Sequence, residues 1–446
     1  MNPEQILHRF NHAKPGRFHL KLMLVAGSTW IWVAYGVTIV GFIIPSLKQE
    51  WNVSASALGL LAGIGMLGML FGAIAAGTLA DNFGRRRVLT WIMAYQAVLF
   101  VLSAFAGSYG ILLFLRFLLG MGLGATLPVA GTLVSEFSPT RIRGMLMVLL
   151  NTFWALGASL AALTGYLIVI PFGWRLALLF GALAGLSGLL VHLLLPESLR
   201  YLSHKGHTEK LNRENSLIHL EEDPKAPVVI AASPANGQVQ ATPVSLWSRK
   251  FARITASLWI LWMALNFLYQ GVYVWLPTLL AGGDTSVSRS YLITLFISLG
   301  QLPGTFLVAY LADRHSRRNL LILSQGLVGL AAILFPLFSA AWWVILVGFL
   351  IMLFNGMSMG LGHPFTTELY PTSIRARANG WASGIGRLGG VLAPLVVGLV
   401  MQAGGGLMAI FALLAGAPIT TMAVLAGLKQ ETTGRSLEEI AEQEEM

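Results

Sequence analysis

The sequence predicts an all-α polytopic membrane protein with twelve transmembrane helices in two pseudo-symmetric six-helix bundles. Three observations predict it: the quantity of apolar residues, the placement of the basic ones, and an internal repeat. Hydrophobic residues make up 56% of the 446, enough for twelve spans at roughly 20 apolar residues each. Only 11% are charged, against about a quarter in an ordinary soluble domain, so a soluble enzyme of this length would lack surface. The glycines follow no triplet period and there is no cysteine, which excludes collagen-like and disulfide-rich classes together with thiolate metal sites and cysteine nucleophiles.

A polar, basic opening segment, residues 1–21, precedes an apolar run too long for a signal-peptide core, and no small-residue cleavage site ends that run. It reads as a retained first helix over 22–45. Further helices follow at 56–80, 88–107, 109–134, 144–170 and 174–195, completing a first bundle over 22–195. The stretch 196–250 mixes charges with Pro, Ala, Ser and Gly and reads as a cytoplasmic linker. A second bundle over 251–428 holds helices at 252–280, 289–312, 318–339, 341–366, 376–400 and 404–428, before an acidic tail, 429–446. With both termini placed in the cytoplasm, all but five of the 29 Lys and Arg (Lys48, Arg116, Arg175, Arg289 and Arg387) fall on the cytoplasmic side. That asymmetry is the positive-inside pattern. The net charge of +10 is therefore a topology signal, and no nucleic-acid partner is expected.

The repeat fixes the architecture. LADNFGRRR from Leu79 matches LADRHSRRN from Leu311, and EFSPTRIRG from Glu136 matches ELYPTSIRA from Glu368, both at an ungapped offset of 232 residues. Two separate matches at one offset mark the halves as copies. Parallel six-helix repeats about an axis normal to the membrane make a transporter, with substrate at the midplane between halves.

These segments carry a resemblance. GTLADNFGRRR resembles the signature after helix 2 of the major facilitator superfamily, RFLLGMGLGA from Arg116 its helix 4 motif, and PESLRYL from Pro196 the close of the first half in the sugar-porter-like branch. The resemblance implies that Asp81 faces the N-terminus of helix 11, where the macrodipole favours a carboxylate. It also implies a charge network of Asp81, Arg85, Glu136 and Arg143 closing the cytoplasmic side, mirrored by Asp313, Glu368 and Arg375. The alternative is that these charges only anchor helix ends; recurrence at the repeat offset favours gating. Arg116 is a structural or coupling residue by the same resemblance, which further implies a monomer in the lipid bilayer.

A charge inside the bilayer is costly and marks function. No Asp or Glu lies deep in a predicted span, whereas Arg387 sits near the middle of helix 11 within WASGIGRLGGVLAP. A guanidinium there either binds a substrate anion, to which it offers a planar fork, or is bonded structurally across the halves. A cavity with a fixed positive charge and no carboxylate favours the anion. Trp30 and Tyr35 on helix 1, Asn266, Tyr269, Gln270 and Tyr273 on helix 7, Asn355 and His363 on helix 10 and Trp381 on helix 11 form the candidate wall; Asn151 and Trp154 on helix 5 belong to the same set. Each aromatic alone is more often packing than ligand. As a set they point to a flat aromatic carboxylate held between rings.

The sugar porters, which PESLRYL resembles, carry a Gln in helix 5 and a Gln-Gln pair in helix 7. Helix 5 here has no Gln and helix 7 reads LNFLYQGVYVWLPTLL, so the comparison with that branch disfavours a monosaccharide. GVYVWLP, FHLKLMLVAGSTW and the helix 11 Arg resemble the branch that contains synaptic vesicle glycoprotein 2, the organic ion transporters and bacterial vitamin B3 transporters. That resemblance implies import of nicotinate across a bacterial cytoplasmic membrane, with a benzoate derivative as the alternative organic anion and a non-transporting sensor as the alternative class. Helix 1 reads Trp30-Ile31-Trp32-Val33-Ala34-Tyr35-Gly36 and lacks the paired Asp residues of many aromatic-acid symporters. A proton partner then leaves His363, which is either a titrating carrier or a packed gate residue. No nucleophile–base pair, metal cluster or phosphate loop points to an enzyme, and no cofactor is expected.

Overall fold

The computed structural model describes residues 14–139, 141–205, 209–211, 245–249, 251–281, 286–312 and 314–428. Among them every regular element is helical, and twelve helices are long and apolar enough to cross a membrane. In the first half these are α1 (Arg17–Trp51), α2 (Ala55–Phe83), α3 (Arg85–Ala104), α4 (Tyr109–Phe137), α5 (Arg143–Phe172) and α6 (Trp174–Leu194). In the second they are α7 (Ala252–Ala281), α8 (Val287–Val308), α9 (Arg317–Leu337), α10 (Ala341–Glu368), α11 (Arg377–Gln402) and α12 (Leu407–Ala426). The tail 429–446 and residues 206–208, 212–244 and 250 of the expected linker lie outside the described residues. A short helix, Leu199–His204, occupies the start of that linker.

Several helices outrun their apolar stripes. α1 begins at Arg17 and ends at Trp51 rather than spanning 22–45, and at 1.5 Å per residue its 35 residues reach about 52 Å. The apolar run marks only the hydrocarbon layer, of about 30 Å, while the helix keeps its backbone paired through both headgroup regions. Other spans are irregular. α5 contains a π turn at Gly165–Val169, and α8 tightens at Gly300, whose backbone stays right-handed helical while its N–H donates to the carbonyls of Ile297 and Ser298.

The repeat is visible in the packing. Gly68 lies under the carbonyl of Phe117 and Gly72 under that of Met121, joining α2 to α4; Gly300 lies under Phe349 and Gly304 under Leu353, joining α8 to α10. All four pairs are related by the offset of 232. A methyl group at any of these glycines would overlap the facing carbonyl. In lipid, where apolar burial gives helices no reason to associate, such close backbone approach supplies the dispersion contact that does.

Both described chain ends and the Arg85–Arg87 and Arg317–Arg318 clusters lie at one end of the bundle, here called the basic face. Near the opposite face a single apolar core runs through both halves, including Phe42 and Leu58 from the first and Tyr273 and Phe411 from the second. There the backbone of α2 at Gly59 meets the carbonyl of Pro394 on α11, and Gly41 of α1 meets that of Tyr273 on α7. Tyr291 Oη on α8 also donates to the carbonyl of Phe42 on α1 at 2.5 Å. Toward the basic face this core divides, one part formed by residues of the first half and Leu211, the other by residues from Leu246 onward. The halves are thus sealed at the opposite face and parted at the basic face.

Candidate functional site

Between the halves, near mid-bundle, lies a cavity of about 150 Å³. A cavity of that volume accommodates one benzene-sized ring. Its lining comes from α1 (Trp30), α2 (Met66, Met69), α5 (Asn151, Trp154), α7 (Trp262, Asn266, Tyr269, Gln270), α8 (Gln301, Thr305), α10 (His363) and α11 (Ser383, Arg387), among others, and includes no carboxylate.

Local sequence explains how Arg387 reaches it. Gly386 lies against Trp262 and Asn266, and Gly389 against the carbonyl of Met263, so α11 and α7 approach backbone to backbone. The long Arg387 side chain then extends past these glycines into the cavity. Its guanidinium has no hydrogen bond or ion pair among the described residues. By contrast the neighbouring wall is tied down. Trp262 Nε1 donates to Thr366 Oγ1 at 3.0 Å, and Asn266 Nδ2 to the Trp262 carbonyl at 2.9 Å. His363 packs its ring 4.4 Å from Trp262 and places Nδ1 3.2 Å from Asn379 Oδ1.

Two bonds cross the site from half to half: Gln270 Nε2 on α7 donates to Met66 Sδ on α2 at 2.9 Å, and Trp154 Nε1 on α5 donates to Tyr269 Oη on α7 at 2.8 Å. Both tie the halves at the cavity wall. Trp154→Phe keeps an aromatic ring, smaller than the indole, and deletes the donor. With a net hydrogen-bond contribution of about 1 kcal/mol, the balance is expected to move about fivefold toward opening at the opposite face. Because the chain has no cysteine, a cysteine can be introduced at Gln270, with Trp154 intact and with Trp154→Phe, so that the loss of the Gln270–Met66 contact is common to both. It reports the shift as faster labelling of the Trp154→Phe protein by a membrane-impermeant thiol reagent; an unchanged rate would remove the tie.

Of the expected wall, Trp30, Asn266, Tyr269, Gln270, His363 and Arg387 line the cavity, as do Asn151 and Trp154. Four residues do not. Tyr35 is buried inside the first half, where its Oη donates to the Ala177 carbonyl at 2.6 Å. Five residues from Trp30 at about 100° each, it faces away from the cavity. Tyr273 shares the face of Tyr269 but sits one turn, about 6 Å, farther into the sealed seam, its ring 4.5 Å from that of Tyr269. Asn355 is buried about two turns from His363. Trp381 is 54% exposed and stacks on Trp259, six residues and some 120° from Arg387. The residues that reading the sequence missed include Trp262, Met66, Gln301 and Thr305. Trp262 was detectable, one turn before Asn266 on the same stripe; Gln301 and Thr305 are one turn apart on α8, a helix from which the sequence reading drew no wall residue.

The other expected charges sit at the basic face. Arg85 Nη2 meets Asp81 Oδ1 at 2.7 Å, Arg85 Nε lies 3.4 Å from Glu136 Oε1, and Nη1 donates to the Ala80 carbonyl at 3.1 Å. Asp81 is 70% exposed, so in this shape its partner is Arg85 rather than the start of α11. Arg143 donates to the Ser138 carbonyl at 3.2 Å. In the second half Glu368 pairs with Arg317, the counterpart of Arg85, and Arg375 Nε donates to the Tyr370 carbonyl at 3.3 Å; Asp313 lies outside the described residues. Arg116 is buried in the first half, 2% exposed, with Nη1 donating to the Gly36 carbonyl at 3.0 Å. Gly65 leaves room for its other nitrogen. It braces α1, α2 and α4 and does not line the cavity.

Residues 22–443 match the family model described as "Sugar (and other) transporter". A niacin transporter of Acinetobacter baylyi is 35% identical over 98% of this chain and 99% of its own length. A gallate transporter of Pseudomonas putida is 32% identical over 85% of each. The inward-open structure of the Escherichia coli xylose transporter superposes with a TM-score of 0.74 at 17% identity, covering 95% of this chain and 99% of that one. With twelve apolar helices, two repeated halves and this match across nearly its whole length, the chain belongs to the sugar (and other) transporter family of the major facilitator superfamily, and is a multi-pass membrane transporter rather than an enzyme.

Proposed function

We propose that this protein imports a single-ring aromatic carboxylate, nicotinate first, across a bacterial cytoplasmic membrane by alternating access, with its basic face in the cytoplasm. The observation that carries the reading is Arg387: a guanidinium with no hydrogen-bond or ion-pair partner among the described residues, in a ring-sized cavity whose described lining holds no acid. A carboxylate supplies the missing partner in bidentate form. The aromatic ring then lies among Trp30, Trp154, Trp262 and Tyr269, and the wall amides Asn151, Asn266, Gln270 and Gln301 meet any ring heteroatom. Similarity to a carrier named for niacin supports the choice of ligand. The moving bodies are the halves 22–195 and 251–428, acting as a monomer.

Proton coupling belongs to the proposal through His363, the lining residue that ordinarily titrates near neutrality. Relatives named for gallate and benzoate transport favour a hydroxylated or plain benzoate as the second reading. Uptake of labelled nicotinate into proteoliposomes, with and without an inward proton gradient, tests the scheme. Expected are gradient-stimulated accumulation, competition by benzoate, and little competition by nicotinamide, which lacks the charge. Nicotinate exclusion with benzoate accumulation would select the second reading. No uptake of any aromatic acid by folded protein would sink both readings and return the substrate to an open screen.

A further inference from the structure

The three consecutive arginines at the start of α3 have different fates. Arg85 is engaged by Asp81 and Glu136. Arg86 Nη1 donates to the carbonyl of Leu195 at the end of α6 at 3.2 Å, and Arg318, its counterpart in the second half, does the same for Leu425 and Ala426 at the end of α12. These two positions are basic in both repeats. The third is not: Arg87 corresponds to Asn319. Its guanidinium has no hydrogen bond or ion pair among the described residues, although its backbone N–H lies 3.4 Å from Glu197 Oε2. That carboxylate also accepts from the N–H groups of Arg86 and Ser198, each at 3.0 Å, so its oxygens are directed to backbone donors.

Arg87 lines a groove of about 410 Å³ on the outside of the first half, between α3 and α6. Gly185, Gly188 and Ala94 give it a floor without bulky side chains, Trp91 and Leu189 form exposed apolar walls, and exposed His192 stands with Arg87 among its polar residues. Gly188 packs so closely on Met93 and Thr90 that the floor stays smooth. A groove with apolar walls and a cation at the membrane surface matches a lipid: an acyl chain along Trp91 and Leu189, an anionic phosphate at Arg87. Basic recesses between helices at this level are favourable for anionic headgroups, and a guanidinium pairs with phosphate oxygens in fork geometry.

We propose that the α3–α6 groove is a binding site for an anionic phospholipid, with Arg87 as the headgroup partner and His192 as a second donor. The site is separate from the transport cavity and does not depend on which substrate is carried.

Full-length protein in nonionic detergent, titrated with phosphatidylglycerol, phosphatidylcholine of the same chains, or inorganic phosphate, and followed by thermal unfolding and native mass spectrometry, tests it. Expected are a higher Tm and a retained lipid adduct with phosphatidylglycerol, a smaller shift with phosphatidylcholine, and none with inorganic phosphate. Arg87→Gln is expected to weaken the phosphatidylglycerol effect about fivefold without lowering the Tm of the lipid-free protein. Ala94→Phe, which fills the floor and leaves both donors in place, is expected to weaken it as well. Equal shifts with the two lipids, a shift with inorganic phosphate alone, or full retention of the effect in both variants would overturn the proposal.

Discussion

Arg387→Ala is expected to lower the affinity for an aromatic carboxylate by at least about 100-fold, or roughly 2.7 kcal/mol. Truncating one member of a desolvated, hydrogen-bonded charge pair typically costs about 2–5 kcal/mol. Among the described lining residues Arg387 is the only Lys or Arg, and His363 is the only other basic side chain. Arg387→Lys keeps the charge but loses the planar fork, so an intermediate loss of about tenfold is expected. Binding of labelled nicotinate to detergent-solubilised protein is the direct measurement, with thermal unfolding to verify folding. Full carboxylate affinity in a folded Arg387→Ala protein would mean that the guanidinium is structural, the alternative its sequence context left open. The loss should extend to benzoate and spare neutral nicotinamide, since it follows the charge and not the ring.

Arg85→Gln is the second substitution with a large expected effect, and its signature is the reverse: a transport rate reduced at least about tenfold with affinity changed by no more than about twofold. Arg85 lies between Asp81 and Glu136 at the basic face, far from the cavity lining. The Asp81 contact, largely in solvent, is worth at most about 0.5 kcal/mol as an i,i+4 pair. Glu136 is different, since both its side chain and that of Arg85 are mostly buried. Without the guanidinium it becomes an uncompensated carboxylate, and breaking such a pair costs several kcal/mol when fully buried. A cost shared equally by both conformations would leave the cycle unchanged, because only a difference between states shifts their balance. The gate role therefore requires that Arg85 hold its acids more tightly in one state than in the other. Arg317→Gln, which leaves Glu368 alone at the mirrored position, should behave likewise. Affinity loss without a transport-specific defect would assign these residues to folding instead.

How legible each feature was in the sequence follows from the forces behind it. The twelve spans could be read directly because a bilayer requires every crossing segment to satisfy its backbone internally over a fixed thickness, so length and hydropathy alone select them. Their ends were less accurate, as α1 shows, since nothing in the apolar pattern marks how far a helix continues through the headgroups. Arg387 stood out because an arginine amid apolar residues and glycines is expensive, and the structure places it in the cavity. The aromatic wall was only half legible. Tyr35, Tyr273, Asn355 and Trp381 have the residue types of a binding wall, yet helical phase or height turns each of them elsewhere, while Gln301 and Thr305 enter it from α8, whose facing to the other half only the packing decides.

The sequence by itself determined that this is a two-fold repeated, twelve-helix transporter, with basic residues gathered at one face and an arginine near the middle of helix 11. Those properties follow from composition, offset and charge, each a sum along the chain. The tertiary structure alone decided that the halves meet at the face opposite the arginine clusters, that Asp81 turns to Arg85, that Trp154 bonds to Tyr269 across the cavity, and that Arg87 is left over in a groove. Those depend on which faces of separate helices come within a few ångströms of each other. For all but the Asp81–Arg85 pair, whose members are four residues apart, packing between segments about a hundred residues or more apart sets that, and no local pattern encodes it.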